Sequence, residues 1–290
     1  MKNPLYAGFL FNYKYSQIIN MPELPEVETT RLGILPWIVG KKIKKVIIRE
    51  RQFRWKIPDD LEKKLEGKKI QSIKRRAKYL IFDTDYGSAI IHLGMSGSLR
   101  IIKDTEPPNK HDHVDFLFNN GMGLRLHDPR RFGSLLWTKD VSSHFLFLKL
   151  GVEPLSKDFT ETYLNLKAKK RRIPIKQFIM NAHIVVGIGN IYASESLFHA
   201  GINPKTQTGR ISRKRFSILV KSIKNVLESA IKAGGTTLRN YYKTDGDPGY
   251  FKQYLYVYGR KGKPCHICKR KISSITIGQR STFYCKNCQH

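Results

Sequence analysis

Two spacings of apolar residues divide this chain. Between positions 43 and 138 they fall in brief β-rich runs, at 43–49, 70–75, 79–83, 88–93, 98–102, 113–118, 123–127 and 133–138. Turn-forming residues separate the runs, and many short strands at near-regular spacing predict a sandwich or barrel. Ahead of them, Leu24, Val27, Leu32 and Leu35 predict a short amphipathic helix over 23–35. Beyond position 140 the period lengthens. Segments 142–149, 158–167, 174–181 and 189–200 read as helices, and the clearest helix covers 213–233. There Phe216, Leu219, Val220, Ile223, Val226, Leu227, Ala230 and Ile231 recur at i, i+3, i+4, i+7 spacing. Ser212 is the expected N-cap, and Gly234 with Gly235 the expected stop. The predicted fold class is α+β, with a leading helix and β-sandwich first, helices second and a turn-rich, cysteine-bearing end at 257–290. Residues 1–20 show no clean period, and composition changes abruptly at Met21.

A chain of 290 residues is long enough for two ordinary domains. Its 40% hydrophobic and 11% aromatic content excludes a disordered or collagen-like chain. Charge changes the picture more. The formal net charge is +30. Self-repulsion on that scale opposes compaction and is tolerated for a polyanionic partner, so nucleic acid is the first candidate. No run approaches the ~18 apolar residues that a membrane span needs. The apolar stretch Leu5–Phe11 is short, is broken by Gly8 and lacks a small-residue cleavage site, so it does not read as a secretory signal.

All four cysteines lie in the last 26 residues, as Cys265-x-x-Cys268 and, sixteen residues later, Cys285-x-x-Cys288. Two such knuckles predict one structural zinc ion in a reducing compartment, not a pair of disulfides. Four thiolates leave no open coordination position, so this zinc would not be catalytic. A ribbon of about 30 residues has too little core to fold unaided, and the metal would supply folding free energy. Lys269, Arg270, Lys271 and Arg280 between the knuckles suit phosphate contact.

The strongest local signal is Met21-Pro22-Glu23-Leu24-Pro25-Glu26-Val27-Glu28. Four further motifs follow it: Arg75-Arg76-Ala77-Lys78-Tyr79-Leu80, His92-Leu93-Gly94-Met95-Ser96-Gly97, Asp128-Pro129-Arg130-Arg131-Phe132-Gly133, and Gly187-Ile188-Gly189-Asn190-Ile191-Tyr192-Ala193-Ser194-Glu195. In order and spacing, with the cysteine pairs, they resemble the bacterial formamidopyrimidine-DNA glycosylase family from Met21 to His290. Read alone, Pro22 is a helix-start proline, Met95 is core, and Gly187-x-Gly189-Asn190 is a helix cap.

The resemblance implies a β-sandwich lobe, a helical lobe with a helix–two-turn–helix element, and a zinc ribbon. The corresponding boundaries are 22–150, 151–256 and 257–290, with 1–21 as an extension absent from the mature protein. It implies an enzyme of base excision repair that removes oxidised purines from duplex DNA and then cuts the abasic strand. It further implies a monomer in the bacterial cytoplasm. Pro22 matches the nucleophile, Glu23 the acid–base group, and Lys78 and Arg280 the cations beside the lesion phosphates. Met95, Arg130 and Phe132 match the residues that fill the gap left by a flipped base. His111, Arg171, Asn190 and Lys176 are further expected DNA contacts, with Arg171, Arg172 and Lys176 as one basic patch. His111-Asp112-His113 on its own also suggests a metal pair, but no third ligand accompanies it.

An N-terminal proline is a secondary amine. It can attack C1′ and form an iminium ion, which acidifies the C2′ proton and permits elimination. In the chain as written, the Pro22 nitrogen is a tertiary amide and cannot attack. Activity is therefore expected of a chain that begins at Pro22 after methionine removal. A non-catalytic DNA-binding protein is the alternative if the extension is retained. An endonuclease VIII-like enzyme for oxidised pyrimidines is the other alternative. Leu24 argues against it, since that relative usually has glycine there.

Overall fold

The computed structural model describes residues 21–234 and 255–290. Residues 1–20 and Gly235, half of the expected helix stop, lie outside them. Glu23, in extended backbone, starts helix α1 (Leu24–Ile38), and Pro25 sits in its first turn, where no hydrogen bond is lost. Leu24, Val27, Ile34 and Ile38 form its buried stripe. Leu32 is 47% exposed, so the expected stripe was partly misplaced. It lies roughly a third of a turn from the middle of that stripe at 3.6 residues per turn.

The eight predicted strands form, each with bounds within two residues of expectation. One antiparallel sheet pairs β1 (Ile43–Ile48), β6 (Asp112–Phe118), β7 (Met122–His127) and β5 (Ser98–Lys103) in that order. The other pairs β2 (Ser72–Arg76), β3 (Tyr79–Asp83), β4 (Ser88–His92) and β8 (Ser134–Thr138). The sheets face each other through a shared core, where the rings of Phe82 on β3 and Phe116 on β6 stand 6.4 Å apart. The sequence reading passed over the short helix α2 (Leu61–Leu65).

Segment 142–149, expected as a helix, is a succession of turns. Its amides bond three residues back, as from His144 to Val141 and from Phe147 to His144. The Ser142 amide and hydroxyl bond to the Asp140 carboxylate, which offers the backbone a partner other than a helix.

The remaining helices form: α3 (Glu161–Ala168), α4 (Ile175–Ile179), α5 (Asn190–His199) and α6 (Arg213–Lys232). Ser212 caps α6 by accepting from the Arg215 amide at 3.3 Å. All of the predicted α6 stripe except Ile231 is buried. A second core joins these helices to Leu255, Val257, Cys265, Ile272, Phe283 and Cys285. The ribbon hairpin, β9 (Ser273–Ile277) with β10 (Arg280–Tyr284), therefore shares a core with the helices in addition to its cysteine cluster.

Candidate active site and metal centre

The first amides of a helix have no partner within it. At α5 that place is taken by Glu23. Its Oε2 accepts from Gly189 N at 2.7 Å and Tyr192 N at 3.3 Å, and its Oε1 from Ile191 N at 2.9 Å. The residue is 3% exposed. Gly189 allows this approach, because a Cβ there would stand 2.3 Å from Glu23 Cδ. Glu26 completes the arrangement. It accepts from the Glu23 amide at 3.0 Å and from the Tyr192 hydroxyl at 2.6 Å. Half-buried Pro22 thus enters the site one residue before a carboxylate locked to the helix start.

Lys78 was expected on a strand. It lies instead in the two-residue turn Ala77–Lys78 between β2 and β3, beyond the Arg76–Tyr79 pair. Burial pulls its pKa down, while Glu23 and then Glu26 pull it up and Arg280 opposes them. Burial raises the pKa of Glu23, against the Lys78 charge and with that of Glu26. Lys78 is thus within electrostatic reach of both Glu23 and Arg280. The three come from a β-hairpin, the start of α1 and the ribbon. Arg280 is exposed at the first position of β10. The raised Glu23 carboxyl suits proton donation and return.

The gap-filling candidates sit on two loops that touch. A Cβ on Gly94 would lie 2.4 Å from the Phe132 carbonyl carbon, so glycine lets the Met95 turn rest against the Phe132 loop. Buried Asp128 ties both loops. It accepts from the Ser96 hydroxyl at 2.8 Å, Gly133 N at 2.8 Å and Arg130 N at 3.3 Å. Arg130 and Phe132 are exposed, with the guanidinium 4.6 Å from the ring centre. Met95 is half-buried.

In the ribbon, the sulfurs of Cys265, Cys268, Cys285 and Cys288 all lie within 4.8 Å of one another. Two of the pairs are 3.4 Å and 3.9 Å apart. Disulfide sulfurs would stand about 2 Å apart. A tetrahedral zinc–thiolate site requires about 3.8 Å between sulfurs. The donor set fits one structural zinc ion. No other group of three or more such ligands gathers among the described residues.

Family models match almost the whole described chain. One for the formamidopyrimidine-DNA glycosylase N-terminal domain covers residues 21–135, and one for the H2TH domain of that glycosylase covers 150–241. A third, a zinc finger found in FPG and IleRS, covers 262–290. A formamidopyrimidine-DNA glycosylase of Aliivibrio fischeri is 54% identical over 269 residues, which is 93% of this chain and 98% of its own. That of Photobacterium profundum is 52% identical over 93% of this chain and all of its own.

The chain belongs to the formamidopyrimidine-DNA glycosylase family. Solved structures agree. A complex of Lactococcus lactis Fpg with abasic-site DNA superposes with a TM-score of 0.85 at 36% identity, covering 92% of this chain and 99% of that one. The MutM (FPG) protein of Thermus thermophilus gives 0.83 at 33% identity, covering 92% and 98%.

Other expected contacts divide. Arg171 and Arg172 are exposed, and His111 is half-buried, its ring 6.2 Å from that of His113. Lys176 does not join a surface patch with those arginines. It is buried, and its ammonium donates to Asn190 Oδ1 at 2.5 Å, Thr282 Oγ1 at 2.7 Å and the Ser281 carbonyl at 3.2 Å. Burial pulls its pKa down to about 7, with Glu23 raising it and Arg280 lowering it. Lys176 therefore links the start of α5 to the zinc hairpin. Asn190 shares that link, donating to the Ser281 carbonyl at 3.0 Å.

Sequence reasoning gave no role to Glu195, although it lies in a quoted motif. Its buried carboxylate accepts from Tyr256, Val257 and Tyr258 N and so holds the segment entering the ribbon. One helix thus anchors both Glu23 and the ribbon.

Proposed function

We propose that this chain excises oxidised purines, 8-oxoguanine and formamidopyrimidines, from duplex DNA and then cuts the strand by β,δ-elimination. The neutral Pro22 amine attacks C1′, the bond to the base breaks, and the base leaves with a proton. Glu23 gives a proton to the ring oxygen as the sugar opens to the iminium form. Loss of the C2′ proton then expels the 3′ phosphate, and loss of the C4′ proton expels the 5′ phosphate. Lys78 and Arg280 stabilise the leaving phosphates from opposite sides. Met95, Arg130 and Phe132 fill the space of the flipped nucleotide, and His111, Arg171 and Asn190 contact the backbone.

One observation carries this reading. A buried carboxyl with a raised pKa is fixed on helix amides directly beside the candidate nucleophile. The chemistry requires Pro22 to be the first residue. Zinc, when bound, would hold the hairpin that presents Arg280.

The reading includes the lobe boundaries 22–150, 151–256 and 257–290. It also includes damaged duplex DNA as the partner, a monomeric state and a cytoplasmic location. Among the described residues, no helix is long and apolar enough to cross a membrane. The decisive assay uses a chain beginning at Pro22 on duplexes carrying 8-oxoguanine or thymine glycol. Faster cutting at 8-oxoguanine is expected. Faster cutting at thymine glycol would instead support the pyrimidine-specific reading.

A further inference from the structure

The two halves of the site come from parts of the chain far apart in sequence, so something must set their spacing. The segment that leaves the β-sandwich is a candidate. Gly151 N donates to the Ala182 carbonyl at 2.8 Å, Val152 N to that of Ile184 at 3.3 Å, and Val186 N to that of Val152 at 3.1 Å. Residues 151–152 are thereby zipped to the segment that runs on into Gly187 and Gly189, where Glu23 is held.

The next residue, Glu153, reaches in the other direction. Its Oε1 accepts from the Ala77 amide at 2.7 Å and Arg76 Nη1 at 3.0 Å, and its Oε2 from Arg75 Nη1 at 2.7 Å. Arg75 also donates to Glu28 of α1 at 2.8 Å, and Arg76 to the Gly151 carbonyl at 2.6 Å. Ala77 has a φ of +55°, a conformation unfavourable for a residue with a Cβ. A bond to its amide holds that turn, and Lys78 is the turn's second residue.

We propose that Glu153 is a positioning residue, which fixes Lys78 relative to Glu23 by clamping the Arg75–Ala77 turn to the segment between the lobes. The proposal rests on the reading of Lys78 given above. Glu153 needs no contact with DNA for this role. Its side chain is 23% exposed, and solvent reaches it through an open crevice of about 450 Å³ also lined by Arg76, Tyr163 and His183. Glutamine keeps one oxygen for the Ala77 amide and loses the acceptor for Arg75 Nη1, which retains its bond to the Ala77 carbonyl.

The test is a double-mutant cycle in the zinc-loaded protein beginning at Pro22, a span that matches the whole length of some relatives. Single-turnover excision and lesion affinity are measured for Glu153→Gln, Lys78→Ala and the double variant. Glu153→Gln is expected to slow excision about tenfold with affinity held within about twofold. The double variant is expected to be no slower than Lys78→Ala alone, because the clamp acts through the lysine. Glu153→Asp keeps the charge but is too short to reach all three donors, so it should lose less and show the same non-additivity. It preserves the test if the glutamine variant fails to fold. Losses that multiply in the double variant would overturn the proposal, as would affinity falling in step with rate. If Lys78→Ala excised at the parent rate, the reading of Lys78 would fail, and this proposal with it.

Discussion

Glu23 and Phe132 stand at two extremes of how this fold holds a side chain of the candidate site. Glu23 is 3% exposed and takes three helix-start amides. Phe132 is 46% exposed, and its noted ring contact is the Arg130 guanidinium beside it. A proton donor works only at a fixed distance from the bond it serves, and buried amides supply that fixity. A wedge that enters a base stack must adapt to the DNA, and an exposed side chain on a loop can do so. The loop itself is not loose. Behind Phe132, Asp128 is buried and accepts three hydrogen bonds. Rigidity is thus placed at the carboxylate in both regions, but only in the first is that carboxylate itself the proposed working group.

Glu23→Gln gives the largest expected break in that comparison. Glutamine keeps one oxygen to accept from the α5 amides but turns a donor toward the others, so the fold should persist with stability reduced by about 1–3 kcal/mol. It cannot donate a carboxyl proton, and excision of 8-oxoguanine should fall on the order of 10²–10⁴-fold. Activity of the parent protein should decline as pH rises through the raised Glu23 pKa, because the acid must be protonated, and the glutamine variant should lack that limb. Single-turnover rates across pH check both points. Near-parent activity would place the acid elsewhere.

Asp128→Ala should act more weakly and on recognition. It leaves the buried Gly133 amide without its acceptor, which costs about 1–3 kcal/mol of stability. Affinity for lesion duplex should drop about tenfold as the two loops separate, an interaction loss near ~1.4 kcal/mol. Cleavage of a preformed abasic site at saturating protein should change less. Thermal melting and binding titrations measure the pair. Affinity unchanged at reduced stability would show that the loops keep their arrangement without Asp128.

Legibility in the sequence followed locality. The strands and α6 were readable because their periods repeat within a few residues, and the zinc site because each knuckle spans four. Glu23 was assigned through the family resemblance alone, since the amides that fix it lie 166–169 positions away. Lys176 looked like a surface cation because it follows a basic run. The acceptors that bury it come from Asn190 and, about a hundred positions on, from Ser281 and Thr282. Glu153 and Glu195 had no readable role, because their partners include backbone amides, which carry no signature in side-chain sequence. Segment 142–149 failed for the opposite reason. Its apolar residues, Phe145 to Leu148, run consecutively and set no helical period, and Asp140 and Ser142 beside them captured the backbone.

The central claim is that the Pro22 amine is the nucleophile, and borohydride trapping on 8-oxoguanine duplex tests it most directly. A chain beginning at Pro22 should become covalently linked to the DNA, and Pro22→Gly in that chain should trap far less. The full 290-residue chain, verified intact by mass spectrometry, should not trap. Efficient trapping by that intact chain would contradict the account, because its Pro22 nitrogen is an amide.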